Sequence, residues 1–473
     1  MRIADIFGLA AMFLIIAFVG WRSSKKVKNM DDFTLAGSGL GKIQAGFSMA
    51  ATEFGGSSLI GAMALCYSIG VAGAWWDWSA VPALIILGLF FAEKIKLPNL
   101  VTITDFFEKR YNYPTKLMAS LMHILAIATQ ISAQFMVGAV ALNGIFGVPK
   151  TVGILISVVF ALIYTMSGGL LSVVNTDVVQ FIMIIGSIII ALPISLHHAG
   201  GFEGLAASLD QSFLSFGNID YKTVISWCLF CFFTYATSQH YIQRVFASRD
   251  KSTAKFAFVF TGVIYIIYGL IISLIGVCIV VLIPNLSDPN TGYTILIKNF
   301  MPSGIAGLIL GGIFAASMST ADSMILAAST LFVNDIYTPL IAKNKENKEN
   351  KNGLMTIRIV TLIVCVVSVI ISMFMDNIVD IMYLGGLFYS TSVFFPLIIG
   401  LKWKRATAPA AIISIIASVT IGLLAELVFA GSSSGIFSIP SNVLSALTSL
   451  IVFLAVSLIT KKPDNEKLEF LNQ

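Results

Sequence analysis

Charged side chains are scarce in this chain of 473 residues. Only 11% of its residues are Asp, Glu, Lys or Arg, whereas 57% are hydrophobic, and so apolar a composition excludes an ordinary soluble globular protein. The apolar residues recur in runs long enough to cross a bilayer, and the short alternating strands of a β-barrel are absent from them. We therefore predict an all-α polytopic membrane protein whose surroundings are the lipid bilayer.

Cysteine is also rare, with five residues, all of them in apolar stretches. Cys228 and Cys231 form a C-x-x-C pair, but a single pair inside a predicted span lacks the other ligands of a zinc site. No polar segment is long enough to carry an enzyme domain, and the net charge of +5 gives no reason to expect a nucleic-acid partner. We therefore expect neither an enzyme nor a metalloprotein.

The apolar runs predict about thirteen transmembrane helices. They lie near 5–21, 41–68, 74–92, 117–146, 151–166, 176–196, 223–243, 255–283, 304–332, 356–375, 379–400, 406–430 and 441–460. Lys and Arg gather in alternate loops, among them the hydrophilic run 343–352, and are sparse in the loops between. The positive-inside rule then predicts an outside N-terminus and a cytoplasmic C-terminus in the cell membrane.

The ninth span holds a cluster of polar residues at bilayer depth. Ser319, Thr320 and Ser323 share one helical face, and Asp322 is beside them. A charge at this depth costs at least ~2.5–3.5 kcal/mol, so it normally faces a cavity, a partner or an ion. Hydroxyl and carboxylate oxygens suit a hard cation. The alternative is that the hydroxyls only bond to a neighbouring helix.

The second span contains Gly55-Gly56 followed by two serines, which is a poor helix interior. A break there would free backbone carbonyls such as those of Ala51 and Phe54, and unwound backbone at membrane depth is typical of transporter binding sites. The alternative is a close contact between packed helices. Glu53, a second intramembrane carboxylate, favours the binding site.

Three further polar groups lie in or beside predicted spans. Asp177 opens the sixth span, where it either caps the helix or serves a site. Asp77 lies among three tryptophans that are typical of an interfacial belt. His240 belongs to a polar cluster at the end of the seventh span, and either a structural or a functional role fits it.

Five segments follow one another along the chain: Gly168-Gly169-Leu170, Thr176-Asp177-Val178-Val179-Gln180, Gln243-Arg244, Ala316 through Ser323, and Asn334-Asp335-Ile336-Tyr337. In this order and spacing they resemble the sodium/solute symporter family, which includes sodium/proline, sodium/galactose, sialic acid, pantothenate and choline transporters. The resemblance covers about residues 30–430.

The resemblance implies a LeuT-type core of five-plus-five inverted repeats. The repeats would span residues 31–200 and 201–403, preceded by a first helix and loop (1–30) and followed by two peripheral helices and a tail (404–473).

The resemblance also implies a site for a co-transported sodium ion. Its ligands would be the carbonyls of Ala51, Phe54 and Ala316 and the hydroxyls of Ser319 and Thr320.

Some members bind a second sodium through an acid at the position of Asp177 and serines at those of Ser319, Asp322 and Ser323. Asp322 departs from that pattern, since a carboxylate here would strengthen a cation site, carry a proton or cap a backbone group. We take Asp177, Asp322 and Ser323 as a candidate second cation site.

The candidate substrate residues combine the proposed break with positions that contact sugars in the family. They are Glu53, Gly55, Ser58, Asp77, Ser238 and Gln239. The loops look nearer to the choline branch, yet that branch has tryptophans at the positions of Glu53 and Ser238, so choline is not expected. The seventh span also lacks a Gly or Pro to mark its break.

We therefore expect a monomer that carries a small polar solute with sodium by alternating access. Two alternatives stay open. One is proton-coupled symport on the same scaffold, with Glu53, Asp177 or Asp322 carrying the proton. The other is a membrane sensor module, which the short segment after Lys461 disfavours.

Overall fold

The computed structural model describes residues 3–27, 30–96, 100–342, 351–374, 378–428 and 439–463. These residues are helical almost throughout. The first helices are α1 (Ile3–Ser24), α2 (Met30–Leu35), α3 (Lys42–Glu53), α4 (Ala62–Ile69), α5 (Trp75–Trp78), α6 (Ala80–Phe90), α7 (Ala92–Ile95), α8 (Asp105–Arg110), α9 (Tyr113–Phe146) and α10 (Lys150–His198).

The second half of the chain continues in the same way. Its helices are α11 (Gly201–Ser208), α12 (Tyr221–Thr237), α13 (Gln239–Ala247), α14 (Lys251–Leu282), α15 (Gly292–Phe300), α16 (Ile305–Phe332), α17 (Lys351–Phe374), α18 (Ile378–Phe388), α19 (Ser390–Gly400), α20 (Ala408–Leu423) and α21 (Ser441–Ile459).

Nine helical segments in the described ranges are long and apolar enough to cross a membrane, or ten if the bent pair α18 and α19 counts as one span. Three of the thirteen predicted segments do not qualify as separate spans: 41–68, 151–166 and 223–243. The first and third are broken into shorter helices, and the second is joined to the next span through a bend in α10. The all-α membrane fold is confirmed, with about ten spans by this criterion instead of thirteen.

The ends and bends of the long helices follow from local sequence. Asn112 caps α9 by accepting a hydrogen bond from the Thr115 amide at 3.0 Å, and Gly147 ends that helix in the left-handed conformation. Gly169 bends α10 because it has a φ of 53°. A Cβ there would lie 2.4 Å from the Phe33 carbonyl oxygen, so only glycine fits the bend.

The centre of the molecule is α16. In its most apolar stretch 89% of the residues are buried, whereas the corresponding share for α1 is 22%. α16 packs against α9 and α10, and it also contacts the end of α3. α20 and α21 pack against each other and against α19. The polar face of α16 is therefore enclosed by other helices, next to the point where the second span is interrupted.

Candidate functional site

The second span is broken where the glycine pair predicted it. α3 ends at Glu53, Phe54 leaves the helical conformation with a ψ of 40°, and the chain resumes at Ser57 as a π-helical turn. A Cβ on Gly55 would lie 2.2 Å from the Thr320 hydroxyl oxygen. Gly55 is therefore needed for the close approach of this break to α16.

Two hydroxyls of α16 reach across to the last turn of α3. Ser319 Oγ donates to the Ala51 carbonyl at 2.8 Å and lies 3.1 Å from the Ala316 carbonyl. Thr320 Oγ1 donates to the Thr52 carbonyl at 2.7 Å and lies 3.2 Å from the same Ala316 oxygen. These contacts are hydrogen bonds between two helices, which was the alternative to a cation site. They also bring together hydroxyl and carbonyl oxygens, the kind of ligand that suits a hard cation.

Gln134 on α9 supports both sides of this cluster. Its side-chain oxygen accepts a hydrogen bond from the Gly56 amide at 3.0 Å, which satisfies a backbone donor that the break leaves free. Its backbone carbonyl accepts from the Ser317 hydroxyl at 2.6 Å. Gln134 therefore stabilises the broken backbone of the second span and connects it to α16.

Arg244 occupies the space between the predicted second-site residues. Its Nη2 donates to Asp177 Oδ2 at 3.0 Å, to Ser323 Oγ at 2.6 Å and to Thr52 Oγ1 at 2.7 Å, and its Nε donates to Ser48 Oγ at 2.8 Å. Arg244 is 1% exposed and Asp177 is fully buried. A buried charge needs such a partner, because an unpaired one costs several kcal/mol.

Asp177 is an interior residue of α10, so it does not cap that helix as one alternative had it. Asp322 is fully buried on α16, and its Oδ1 lies 3.5 Å from the Ser323 hydroxyl. The three predicted second-site residues therefore belong to one buried region, and the guanidinium of Arg244 links two of them.

A central cavity of about 60 Å³ lies beside the break. Glu53 and Ser58 line it, together with His240, Tyr235 and Tyr241. Tyr235 and Tyr241 each donate to a different carboxylate oxygen of Glu53. Two of the six predicted substrate residues thus reach the cavity wall.

The other four predicted substrate residues are not among the residues that line this cavity. Asp77 is fully buried, and its Oδ1 accepts from the Ser58 hydroxyl at 2.8 Å and lies 3.4 Å from the Tyr265 hydroxyl. Asp77 therefore contacts the cavity through Ser58. Trp76 lines the cavity, so the tryptophans next to Asp77 are not only an interfacial belt.

Ser238 breaks the seventh span without a glycine or proline. Its ψ of 130° separates α12 from α13. Gln239 follows it and turns away from the cavity: its side chain accepts from the Ile103 amide at 2.8 Å and donates to the Val101 carbonyl at 3.1 Å. Its own amide donates to His123 Nε2 at 3.1 Å. Gln239 thus ties the break to the 101–103 loop.

That loop belongs to a buried polar network beneath the cavity. Thr102 and Ser120 donate to Asp335, and Lys116 Nζ lies 3.4 Å from Asp335 and 2.8 Å from Asp105. Burial raises the pKa of Asp105, but the charge of Lys116 and hydrogen bonds to the carboxylate outweigh it and hold that pKa below its usual range. The network joins α8 and α9 to Asp335 in the helical turn that follows α16.

Several of these residues were not predicted as site residues. Gln130 lines the cavity and Gln134 supports the break. Two amides four residues apart in an otherwise apolar span were a usable signal, because they lie on one face of the helix. Tyr235 and Tyr241 gave no such signal, since tyrosine is common in membrane helices.

Comparisons with known proteins agree with this architecture. The profile of the sodium:solute symporter family matches residues 33–418. The chain is 28% identical over 471 residues to the sodium/glucose cotransporter of Vibrio parahaemolyticus, a match that covers 89% of this chain and 84% of that protein. It is 30% identical over 369 residues to the high affinity choline transporter 1 of Homo sapiens, which covers 71% and 62% of the two chains.

Among solved structures, a Na⁺-coupled sialic acid symporter in a substrate-bound outward-open state has a TM-score of 0.84 with this chain. Its sequence identity is 21%, and the match covers 98% of this chain and 99% of that one. This likeness concerns the fold, and it confirms the expected LeuT-type helical architecture.

Proposed function

This chain belongs to the sodium:solute symporter family and is a sodium-coupled solute symporter, and from that premise we propose how it holds its ion and its solute. Sodium binds between α3 and α16, and the solute binds in the central cavity beside the same break. The main support for the sodium site is that the hydroxyls of Ser319 and Thr320 on α16 donate hydrogen bonds to backbone carbonyls in the last turn of α3.

The proposed sodium ligands are the carbonyls of Ala51, Phe54 and Ala316 and the hydroxyls of Ser319 and Thr320. A hydroxyl that now donates to a carbonyl turns a lone pair toward the ion by rotating about its C–O bond. These ligands carry no net charge, so the ion leaves again when the two helices separate. Binding thereby depends on the relative position of α3 and α16.

We extend the proposal to Asp177, Asp322 and Ser323 as a second cation position. The observation in its support is that these three residues place buried carboxylate and hydroxyl oxygens in one region. The guanidinium of Arg244 now lies on Asp177 and Ser323 at 3.0 and 2.6 Å, so a second transported cation would bind there only after Arg244 moves away, because like charges repel.

The solute would contact Glu53 and Ser58 directly. Asp77 supports Ser58, Gly55 keeps the break against α16, and Ser238 and Gln239 shape the opposite break. The relatives named above transport different solutes, so their names alone do not select one for this chain.

We propose that the inverted repeats comprise residues 31–200 and 201–403, with 1–30 and 404–473 outside them. α3 then belongs to the first repeat and α16 to the second. Rocking of one repeat against the other would pull the sodium shell apart, as alternating access requires.

The proposed orientation places the N-terminus outside and the C-terminus in the cytoplasm, and the proposed functional unit is a monomer. The loop 343–352 is cytoplasmic in this scheme, although its residues 343–350 lie outside the described ranges. The Asp335 network is then on the cytoplasmic side of the cavity.

Sodium dependence at fixed pH tests the proposal. The melting temperature of the purified protein should be higher in NaCl than in KCl, and the Ser319→Ala variant should need a higher NaCl concentration for the same difference. During transport, each sodium ion that enters the cell would supply ~2.3 kcal/mol from a membrane potential of 100 mV and about 1.4 kcal/mol from a tenfold sodium concentration gradient. Stabilisation by protons but not by sodium would favour the proton-coupled alternative.

A further inference from the structure

The central cavity combines one carboxylate with aromatic rings. Among its described lining residues, Glu53 is the acid, none is Lys or Arg, and His240 is the basic side chain. Five rings also line it: Trp76, Phe230, Tyr235, Tyr241 and Tyr265. The faces of aromatic rings attract cations, as a carboxylate does.

Glu53 is held in place for such a role. Tyr235 donates to one carboxylate oxygen and Tyr241 to the other. Two phenol donors fix the orientation of the carboxylate, while each of its oxygens keeps a further lone pair for a ligand. His240 lies in the same wall, and neither of its ring nitrogens has a hydrogen-bond partner. A ligand between Glu53 and His240 would thus meet unused polar atoms.

A second, larger cavity of about 400 Å³ is also lined by acidic and aromatic side chains. Asp380 and Glu426 line it beside Trp227 and Tyr383, and its described lining residues include no Lys, Arg or His. In the proposed orientation it lies on the outer side.

Two ring pairs separate the outer cavity from the central one. Trp76 of the central cavity packs edge-on against Trp227 of the outer cavity, with ring centroids 5.4 Å apart. Phe230 of the central cavity stacks on Tyr383 of the outer one at 5.2 Å. A solute that moved from one cavity to the other would pass between aromatic rings, with acidic groups at both ends of its path.

We propose that the transported solute is a small organic cation, whose ammonium group binds between the Glu53 carboxylate and the surrounding rings. This inference rests on the proposed function of the central cavity. It makes zwitterions and carboxylates the less favoured solutes, because the described cavity wall has no Lys or Arg to pair with a negative group and its basic side chain is the His240 imidazole. It also distinguishes this chain from a sugar carrier, which needs no fixed negative charge.

Matched probes test the class of solute. In NaCl buffer, the melting temperature of the full-length protein is measured with three cations, ethanolamine, choline and putrescine. Their carboxylate-bearing counterparts are glycine, glycine betaine and 4-aminobutyrate, and glucose is the neutral probe. At least one cation should stabilise the protein, and its counterpart should not. The proposal is overturned if no cation raises the melting temperature, whether or not glucose or a zwitterion does.

Glu53→Gln should weaken the binding of the responding cation at least tenfold. Glu203→Gln is the matched control, since it makes the same chemical change at an exposed acid on α11, outside both cavities. Equal affinities in the two variants overturn the proposal. Should Glu53→Gln fail to fold, the wild-type protein still decides the question by charge counting. The positive charge moved per solute, less the charge of the co-transported sodium and protons, should equal the charge of the solute: one for ethanolamine or choline, two for putrescine, and none for a neutral or zwitterionic solute.

The sodium site and the solute class are tested separately by these measurements. If sodium raises the melting temperature but no cation does, the solute class is wrong and the sodium site stands. If cations bind through Glu53 but a sodium gradient does not change their uptake, the proposed sodium site is wrong and the proposed solute class remains supported. If glucose is taken up with sodium and Glu53→Gln leaves that uptake intact, the solute is neutral, the charge of Glu53 is not needed, and the inference is wrong.

Discussion

Removing one hydroxyl from the proposed sodium shell should weaken sodium binding in a measurable and selective way. Ser319→Ala and Thr320→Ala each delete one oxygen that now lies 2.7–2.8 Å from a carbonyl of α3. Both substitutions remove little volume from the buried face of α16. The change is therefore chiefly the loss of one ligand from a shell of five.

The expected size follows from the chemistry of the lost contact. A hydrogen bond or ligand contact to a charged group contributes about 1.5–3 kcal/mol, and each 1.4 kcal/mol is a factor of ten in affinity. The sodium concentration for half-maximal stabilisation or transport should therefore rise about 10- to 100-fold in each alanine variant. Thr320→Ser should change it much less, since the hydroxyl remains and only a methyl group is lost.

Ser329→Ala is a matched control on the same helix. Ser329 is fully buried, donates to the Ile325 carbonyl at 2.8 Å and lies 2.8 Å from the Thr361 hydroxyl. Its loss should lower stability without changing sodium dependence. Sodium titrations of melting temperature at fixed pH, compared across the four variants, measure both quantities. A sodium site at Ser319 and Thr320 is refuted if both site variants keep the wild-type sodium dependence, or if Ser329→Ala shifts it equally.

Three further predictions concern the surroundings of the site. Arg244→Gln should destabilise the protein by about 3–5 kcal/mol, because it leaves Asp177 buried without its cation. Adding Asp177→Asn should recover part of that lost stability. If thermal denaturation shows that the losses from the two substitutions simply add, Arg244 and Asp177 are not paired. Asp105 has a lowered pKa, so its stabilising contribution is present above a pH of about 4, where a free Asp titrates, and is lost as the pH falls through the lower folded-state value. Acidification through that window should therefore lower the melting temperature of the wild type more than that of Asp105→Asn, and parallel curves would refute the assignment. A cysteine placed at Asn347 should react with an impermeant maleimide only in opened cells, whereas a cysteine placed at Glu203 should react in intact cells. The reverse labelling would show that the proposed membrane orientation is inverted.

The break in the second span was predictable because its cause is local. Gly55 and Gly56 are poor helix formers, and the structure ends α3 directly before them. The break in the seventh span was not predictable in that way. Ser238 adopts an extended conformation, and the amide of the following Gln239 donates to His123 on α9. Such a break is stabilised by tertiary contacts, which the local sequence does not display.

The same distinction applies to the polar residues. The hydroxyls of α16 were identifiable because Ser319 and Thr320 share a helical face in an apolar run. The place of Arg244 was not, since it depends on how α13 packs against α3, α10 and α16. Charge balance gave only a weak indication. Four acids in predicted spans favoured a cation nearby, and the family motif contained Arg244, but nothing in the spacing connected Arg244 to Asp177.

The last turn of α3 joins the ion site to the solute cavity, and this explains how one proposed ligand could assist the other. The Thr52 carbonyl accepts from Thr320 in the proposed sodium shell, and the Thr52 side chain lines the cavity and bonds to Arg244. The next residue is Glu53. An ion that fixes the Ala51–Phe54 segment therefore also fixes the carboxylate that would meet the solute, since both depend on the same few backbone dihedrals. Each ligand would then bind more tightly in the presence of the other, by an equal factor in both directions, and the sodium gradient would drive solute uptake without any direct contact between them.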